Sequence, residues 1–292
     1  MRVSDKGTFE LHRANLARLK SAWTSAQERA ATGRQVTKPS EDPLAMSQAL
    51  RERSKSARAD AYARGIDMGN HRLDAADRSL ADVAEALRRI RDLTVQAASD
   101  TVTARERADI AVEVRSLRDT VHSLANTEAA GSYVFAGYPD DAPPFDAAGV
   151  FGGSSDVPEL EVSPGVRVAL GVRGDEVFSG AGGGVDVFAS LDALATALET
   201  DDVPTIRASL DTLDAAHGQV VHARGEIGAR QNQLEVSQSV VGRMKDRAEV
   251  RQSELVGADP VDAYLELEQA QGAYQAAVKI AAQLPGPSLV NG

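Results

Sequence analysis

The chain has 292 residues, a formal net charge of −11 and no cysteine, which excludes disulfides, thiolate metal sites and a thiol nucleophile. Residues 137–202 hold 2 Lys/Arg against 13 Asp/Glu and account for the whole net charge, so they argue against nucleic acid as a partner. No apolar run reaches 18 residues, and the sequence predicts no membrane span. The first residues lack the apolar core of a secretory signal, so we expect any export to bypass the general secretory route.

The first predicted element is an amphipathic helix near the N-terminus. Its apolar side chains recur at helical spacing and include Phe9, Leu16, Leu19 and Trp23, the only tryptophan. A helix with one apolar face is marginal alone in water and needs a partner surface. We therefore expect these residues to contribute to an assembly interface.

A joint follows at residues 32–43, which read Thr-Gly-Arg-Gln-Val-Thr-Lys-Pro-Ser-Glu-Asp-Pro. Gly33 can end the first helix, and Ser40 or Asp42 can cap the next one with Pro43 at its first position. A similar joint, Gly-Ala-Asp-Pro, occupies residues 257–260, with Asp259 as the cap.

The next helix carries a seven-residue repeat through Leu73, Leu80 and Leu87. Such spacing keeps one packing seam facing a partner helix, as in a coiled coil. After a break at residues 99–103, Thr103 and Glu106 have the spacing of a capping box that opens a third helix.

Residues 137–185 differ from the helical flanks in composition. They contain 11 of the 24 glycines and 5 of the 11 prolines, with apolar alternation at residues 160–162 and 166–170. Alternation at period two and Gly/Pro turns are typical of strands, so we predict a small β-rich unit. Its carboxylates, among them Asp140, Asp156 and Asp175, have no calcium-ligand spacing and favour a solvated acidic face.

A second long seam follows, with an apolar residue at every seventh position through Ile227, Leu234, Val241 and Leu255. At about 1.5 Å per residue this segment would form a rod on the order of 75 Å long. Near the C-terminus, Leu267, Tyr274 and Leu284 lie on one apolar helical face. The simplest partner for this last helix is the first one.

No residue pattern calls for catalysis or a cofactor. His217 and His222 are five apart, which does not suit a shared metal, and residues 180–184 (Gly-Ala-Gly-Gly-Gly) lack the Lys-Ser/Thr ending of a phosphate loop. We expect no enzyme activity, no metal, no cofactor and no small-molecule substrate.

Several motifs, in the correct order, resemble those of the bacterial flagellin family. The match as a whole extends over about four fifths of the chain and leaves the middle insert unmatched. Its motifs lie at residues 1–4, 32–34, 39–43, 117–119, 124–127, 228–235, 259–260, 274–279 and 288–289. Residues 131–138 (Gly-Ser-Tyr-Val-Phe-Ala-Gly-Tyr), followed by Pro144-Phe145, are similar to family members of the hook–filament junction rather than to flagellin proper.

The resemblance implies a secreted structural subunit of the flagellum, the organelle of bacterial motility, exported by the flagellar type III apparatus to the extracellular side. The partners it implies are hook-associated protein 1, flagellin, copies of the chain itself in a ring and a flagellar export chaperone.

The predicted architecture is mainly α, a long coiled-coil-like helical bundle formed by both chain ends with a small β-rich domain inserted at the tip. We expect a terminal helical domain (residues 1–42 and 256–292), a helical rod domain (43–136 and 186–255) and the β-rich insert (137–185). Two alternatives stay open. One is a flagellin or minor filament subunit, and the other is a secreted binding or adhesin module that uses the β unit.

Overall fold

The computed structural model describes the backbone of residues 2–283 and the side chains of residue 7 and residues 10–282. In this range the chain forms seven helices and four short strands, which confirms the predicted mainly α class with a small β-rich part. The helices are α1 (Arg2–Thr32), α2 (Pro43–Ala97), α3 (Ala104–Ala125), α4 (Gly174–Phe178), α5 (Val187–Glu199), α6 (Val203–Val256) and α7 (Pro260–Gln283). The strands are β1 (Glu128–Ala129), β2 (Ser132–Tyr133), β3 (Glu159–Ser163) and β4 (Val166–Ala169).

The contacts divide the chain into two compact units, one of residues 1–58 and 244–292 and one of residues 59–243. We call them the terminal unit and the central unit. The boundary falls within α2 and α6. The three-part division drawn from composition is a different partition and stays a prediction.

In the central unit the heptad residues of α2 and α6 are buried. Leu73, Leu80 and Leu87 are fully covered, and the α6 positions from Ile206 to Val241 are covered as well. The repeat changes near the end of α6, where Leu255 is half-buried and Val256 is buried in its place. A straight helix with 3.6 residues per turn drifts by about 20° per heptad, which accounts for the one-residue shift.

The turns α2–α3 and α5–α6 lie together in the central unit. The capping box predicted at Thr103 and Glu106 is confirmed. Buried Arg107 donates hydrogen bonds to the carbonyls of Ala97 and Ser99, at 2.8 and 2.9 Å, and to the carboxylate of Asp201. The break between α5 and α6 was not predicted.

The connecting segment, residues 126–186, links α3 to α5 and contains the predicted β-rich residues. Strands β3 and β4 cover the residues whose alternation predicted strands, and they pair as an antiparallel hairpin, whereas the short helix α4 was not expected. Four phenylalanines form a buried core: Phe135, Phe145, Phe178 and Phe188.

The hairpin packs beside α2, where Leu160 lies against Gly65 and Leu170 against Gly69. Gly65 and Gly69 leave room on the side of α2 for these two leucine side chains.

Candidate assembly surface

The segment that follows α1 lies beside the segment that precedes α7. The Gln35 N–H donates to the Val256 carbonyl at 2.8 Å, and the Ala258 N–H donates to the Gly33 carbonyl at 2.9 Å. Gly33 follows α1 with φ +66°, a conformation that glycine adopts without strain. The joint expected after the first helix is therefore confirmed and is paired with the joint that precedes the last one.

Carboxylates cap the helices at both joints. The Asp42 side chain accepts from the Ala45 N–H at 2.9 Å, with Pro43 as the first residue of α2, and the Asp259 side chain accepts from the Val261 N–H at 2.8 Å. Glu41 accepts from the N–H groups of Thr37 and Lys38 at 2.8 and 3.2 Å. These backbone hydrogen bonds lower the pKa of Glu41, because they favour the ionised carboxylate.

Helices α1 and α7 pack against each other, as the sequence predicted for the two chain ends. Trp23 and Tyr274 stack across the pair, and Arg29 donates to Glu266 at 2.6 Å. Buried alanines, Ala26 on α1 and Ala263 on α7, allow the backbones to approach. The pairing therefore combines close small-residue packing with one aromatic stack and one ion pair.

The residues proposed for the assembly interface are only partly covered. Leu16, Leu19, Trp23, Leu267 and Tyr274 are all half-buried in the isolated chain. The side chain of Phe9, and Leu284 as a whole, lie outside the described residues. The structure thus places the side chains of five of the seven predicted residues on the α1–α7 pair, and their role in assembly stays a prediction.

Helix α7 also carries exposed apolar residues that were not predicted. Val261, Leu265 and Ile280 are exposed by 67%, 52% and 54%, and Tyr264 is exposed beside them. The helical spacing places Val261 and Leu265 roughly opposite the face that meets α1, whereas Tyr264 and Ile280 lie on either side of that direction. The signal was present, because α7 carries aliphatic residues at two sets of helical positions, but only the set through Leu267 and Tyr274 was considered.

Arginines pair with some of the carboxylates of the acidic connecting segment. Asp140 pairs with Arg72 of α2 at 2.7 Å, and Asp175 pairs with Arg173 at the same distance. Desolvation opposes ionisation of Asp175, yet hydrogen bonds from Arg173 and Ser155 outweigh it and lower the pKa of this carboxyl. The solvated acidic face expected from composition is therefore wrong for Asp140 and Asp175, because arginines of α2 and of a local turn cover them, whereas Asp156 is exposed as expected.

The described part of the chain offers no group of three or more His, Cys, Asp or Glu side chains that could hold a metal ion. Among residues 2–283, no helix is long and apolar enough to cross a membrane. The Gly180 region forms a turn, in which the Gly184 N–H donates to the Gly180 carbonyl at 3.0 Å.

These features define a helical subunit whose two chain ends pair and leave apolar surface exposed. The model of the bacterial flagellin N-terminal helical region matches residues 7–140, and that of the flagellin C-terminal helical region matches residues 210–291. The chain belongs to the bacterial flagellin family.

Two curated relatives match almost end to end. The chain is 27% identical to flagellar hook-associated protein 3 of Salmonella typhimurium over 99% of its own length and 98% of that protein. Flagellar hook-associated protein 3 of Escherichia coli gives the same identity and coverage. Flagellin of Listeria monocytogenes is 30% identical over only 36% of each chain.

The solved structures agree with this family. A protein of Vibrio parahaemolyticus, assigned as a flagellar hook-associated protein, is 25% identical with a TM-score of 0.69 and covers 74% of this chain and 100% of its own. FlgL of Bacillus cereus shares the fold at 21% identity, with a TM-score of 0.61 over 70% of this chain and 99% of its own. The chain is a structural component of the bacterial flagellum, and its relatives are structural proteins rather than enzymes.

Proposed function

We propose that this chain is a junction subunit that joins the flagellar hook, through hook-associated protein 1, to the flagellin filament. Copies of the chain assemble as a ring through coiled-coil packing of their terminal helices. A flagellar export chaperone accompanies the chain to the type III apparatus, which delivers it to the extracellular side. End-to-end similarity to hook-associated protein 3 supports the junction role, in contrast to the partial match with flagellin.

The observation that carries the assembly mechanism is the exposure of apolar side chains on α7, among them Val261, Leu265 and Ile280. Fully burying one such aliphatic side chain contributes about 1.5–3 kcal/mol. On each copy, three or four such residues supply enough free energy to offset part of the cost of ordering and association. Neighbouring subunits therefore complete a surface that the isolated chain leaves open to water.

A double variant, V261E/L265E, tests this mechanism because it places two charges on the exposed face. We expect the isolated protein to keep its helicity and Trp23 fluorescence, while a strain that carries only this variant loses the junction and sheds its filaments. The matched control is Q269E/Q271E, two exposed positions on the same helix. Electron microscopy of the hook–filament boundary is the readout, and intact filaments on the V261E/L265E strain would contradict the mechanism.

A flagellin or minor filament subunit is the second candidate, and the partial identity with Listeria flagellin favours it. A filament subunit polymerises without limit, whereas a junction subunit needs a hook-associated neighbour. We expect the purified protein alone to form no long filaments under conditions in which flagellin does. Long filaments of the pure protein would favour the second candidate.

A further inference from the structure

The apolar seams of α2 and α6 do not by themselves specify how far one helix is displaced along the other. Each seam presents an aliphatic residue at every seventh position, and on α6 the buried set includes Val220, Ile227 and Leu234. A displacement by one heptad moves α6 by about 10.5 Å and puts another aliphatic residue at each site. Burial of the seam is nearly the same in either register.

Several ion pairs and hydrogen bonds join the two helices, and those at Asp74, Asp77 and Arg91 discriminate only weakly between the registers. Asp74 accepts from Gln231 at 2.7 Å, but a one-heptad displacement offers it Arg224 or Gln238, which are also donors. Asp77 accepts from Arg224 at 2.9 Å, and the same displacement offers it His217 or Gln231. Arg91 pairs with Asp214 and would lose its partner, yet both side chains are well exposed. Exposed pairs of this kind contribute about 0–1 kcal/mol.

The connecting segment holds both helices through two consecutive carbonyl groups. The Leu170 carbonyl accepts from Arg72 Nε of α2 at 3.1 Å, and the Gly171 carbonyl accepts from Arg230 Nη1 of α6. Arg72 is largely buried and also donates to the Tyr133 carbonyl and to Asp140, at 3.0 and 2.7 Å. One dipeptide therefore links a fixed position on α2 to a fixed position on α6.

Two further contacts depend on the same position of α6 along α2. The Gln219 side chain of α6 accepts from the Val185 N–H at 2.9 Å and donates to the Val177 carbonyl at 2.8 Å. At Gly69 of α2, a Cβ atom would lie 2.8 Å from Leu170 and 3.3 Å from Leu234, so the absence of a side chain brings the segment and α6 together at this point.

We propose that the connecting segment fixes the register of α2 against α6 in the central unit. Displacing α6 by one heptad would bring Ala223 or Ser237 to the place of Arg230, and neither side chain reaches the Gly171 carbonyl. The displaced register leaves that desolvated carbonyl without a hydrogen-bond partner. Burial of the apolar seam does not offset this cost, because it is nearly the same in both registers. This role is independent of the proposed flagellar function, because it concerns contacts within one chain.

The absence of cysteine allows a direct test by disulfide cross-linking of the full chain. The pair R91C/D214C reports the observed register, since these side chains are in contact. The pairs R91C/V221C and R91C/R207C report displacement by one heptad in either direction. Because R207C also removes the hydrogen bonds from Arg207 to the Ala98 carbonyl, each pair is compared only with itself across the backgrounds. Each pair is introduced into the otherwise unchanged chain, into R72A/R230A and into the control R78A/R243A, whose two arginines are exposed on the same helices.

We expect the unchanged chain and the control to cross-link through R91C/D214C alone. In R72A/R230A we expect cross-linking of at least one displaced pair to rise about tenfold or more, as the loss of two charge-assisted hydrogen bonds implies. If R72A/R230A loses helicity by circular dichroism, the milder R230Q replaces it. Cross-linking through R91C/D214C alone in a helical R72A/R230A or R230Q variant would overturn the proposal.

Discussion

Trp23 of α1 and Tyr274 of α7 stack face to face, with ring centroids 5.4 Å apart and an interplanar angle of 10°. Because Trp23 is the only tryptophan, its fluorescence reports directly on the pairing of the two chain ends. The stack, together with the half-buried leucines beside it, turns two marginal helices into one packed pair.

Replacing Tyr274 with alanine should therefore shift the Trp23 emission to longer wavelength, since the indole gains contact with water. We expect a loss of about 0.5–1.5 kcal/mol from the aromatic pair in addition to lost burial. The control is Y264A, because Tyr264 is exposed on another face of α7. An unchanged emission spectrum for Y274A would mean that the stack does not form in solution.

A charge in the buried seam of α6 should destabilise the central unit severely. Leu234 is fully buried, so L234D combines lost burial with an unpaired buried carboxylate and should cost about 3 kcal/mol or more. Val236 is 65% exposed on the same helix, and V236D should leave thermal unfolding nearly unchanged. Thermal melts followed by circular dichroism compare the two, and equal melting temperatures would show that the seam faces water.

Much of the helical framework could be predicted because its signals are local. Heptad spacing identified Leu80 and Leu234, and cap residues identified the start of α2 at Pro43. The signal for the break before α6 was equally local, since Asp202 caps the helix by accepting from the Thr205 N–H at 3.2 Å. It was not recognised because the apolar period of the sequence is continuous there.

Other features depend on residues that meet only after folding. Positions far apart in the sequence meet where Arg72 pairs with Asp140 and where Leu170 packs against Gly69. No spacing rule connects such residues, which is why the position of the hairpin and the pairing of the acidic residues could not be derived. The exposed apolar residues of α7 were not predicted for another reason. An aliphatic residue in a helical sequence does not by itself show whether its side of the helix is covered.

Two glycine substitutions should change stability in opposite directions. Gly137 has φ +79°, and a Cβ atom there would lie 2.0 Å from the Ser154 carbonyl oxygen, so G137A should cost about 1–3 kcal/mol. Gly218 lies within α6 with open space around it, and G218A should stabilise the helix by about 0.5–1 kcal/mol. Chemical denaturation measures both, and a stabilised G137A would contradict the tight turn.

Acid should weaken the protein through carboxylates that cap backbone N–H groups. Hydrogen bonds from Thr37 and Lys38 lower the pKa of Glu41, those from Thr103 lower that of Glu106, and those from Thr205 lower that of Asp202. In the unfolded chain these groups return to ordinary values of 4.5 for Glu and 3.8 for Asp. Their contribution is therefore complete above about pH 5 and is lost as the pH falls through the lowered folded-state values.

The variant E41Q isolates one of these groups. It should lower the melting temperature at pH 7, because a neutral amide accepts the two N–H bonds less strongly. It should also make the melting temperature fall less between pH 5 and pH 3 than it does in the unchanged chain. The control is E235Q, since Glu235 is exposed and makes no hydrogen bond or ion pair within the described residues. The measurement is the melting temperature of E41Q, E235Q and the unchanged chain across this pH range. If the melting temperature of E41Q falls in parallel with that of the unchanged chain, Glu41 is not a source of the acid sensitivity.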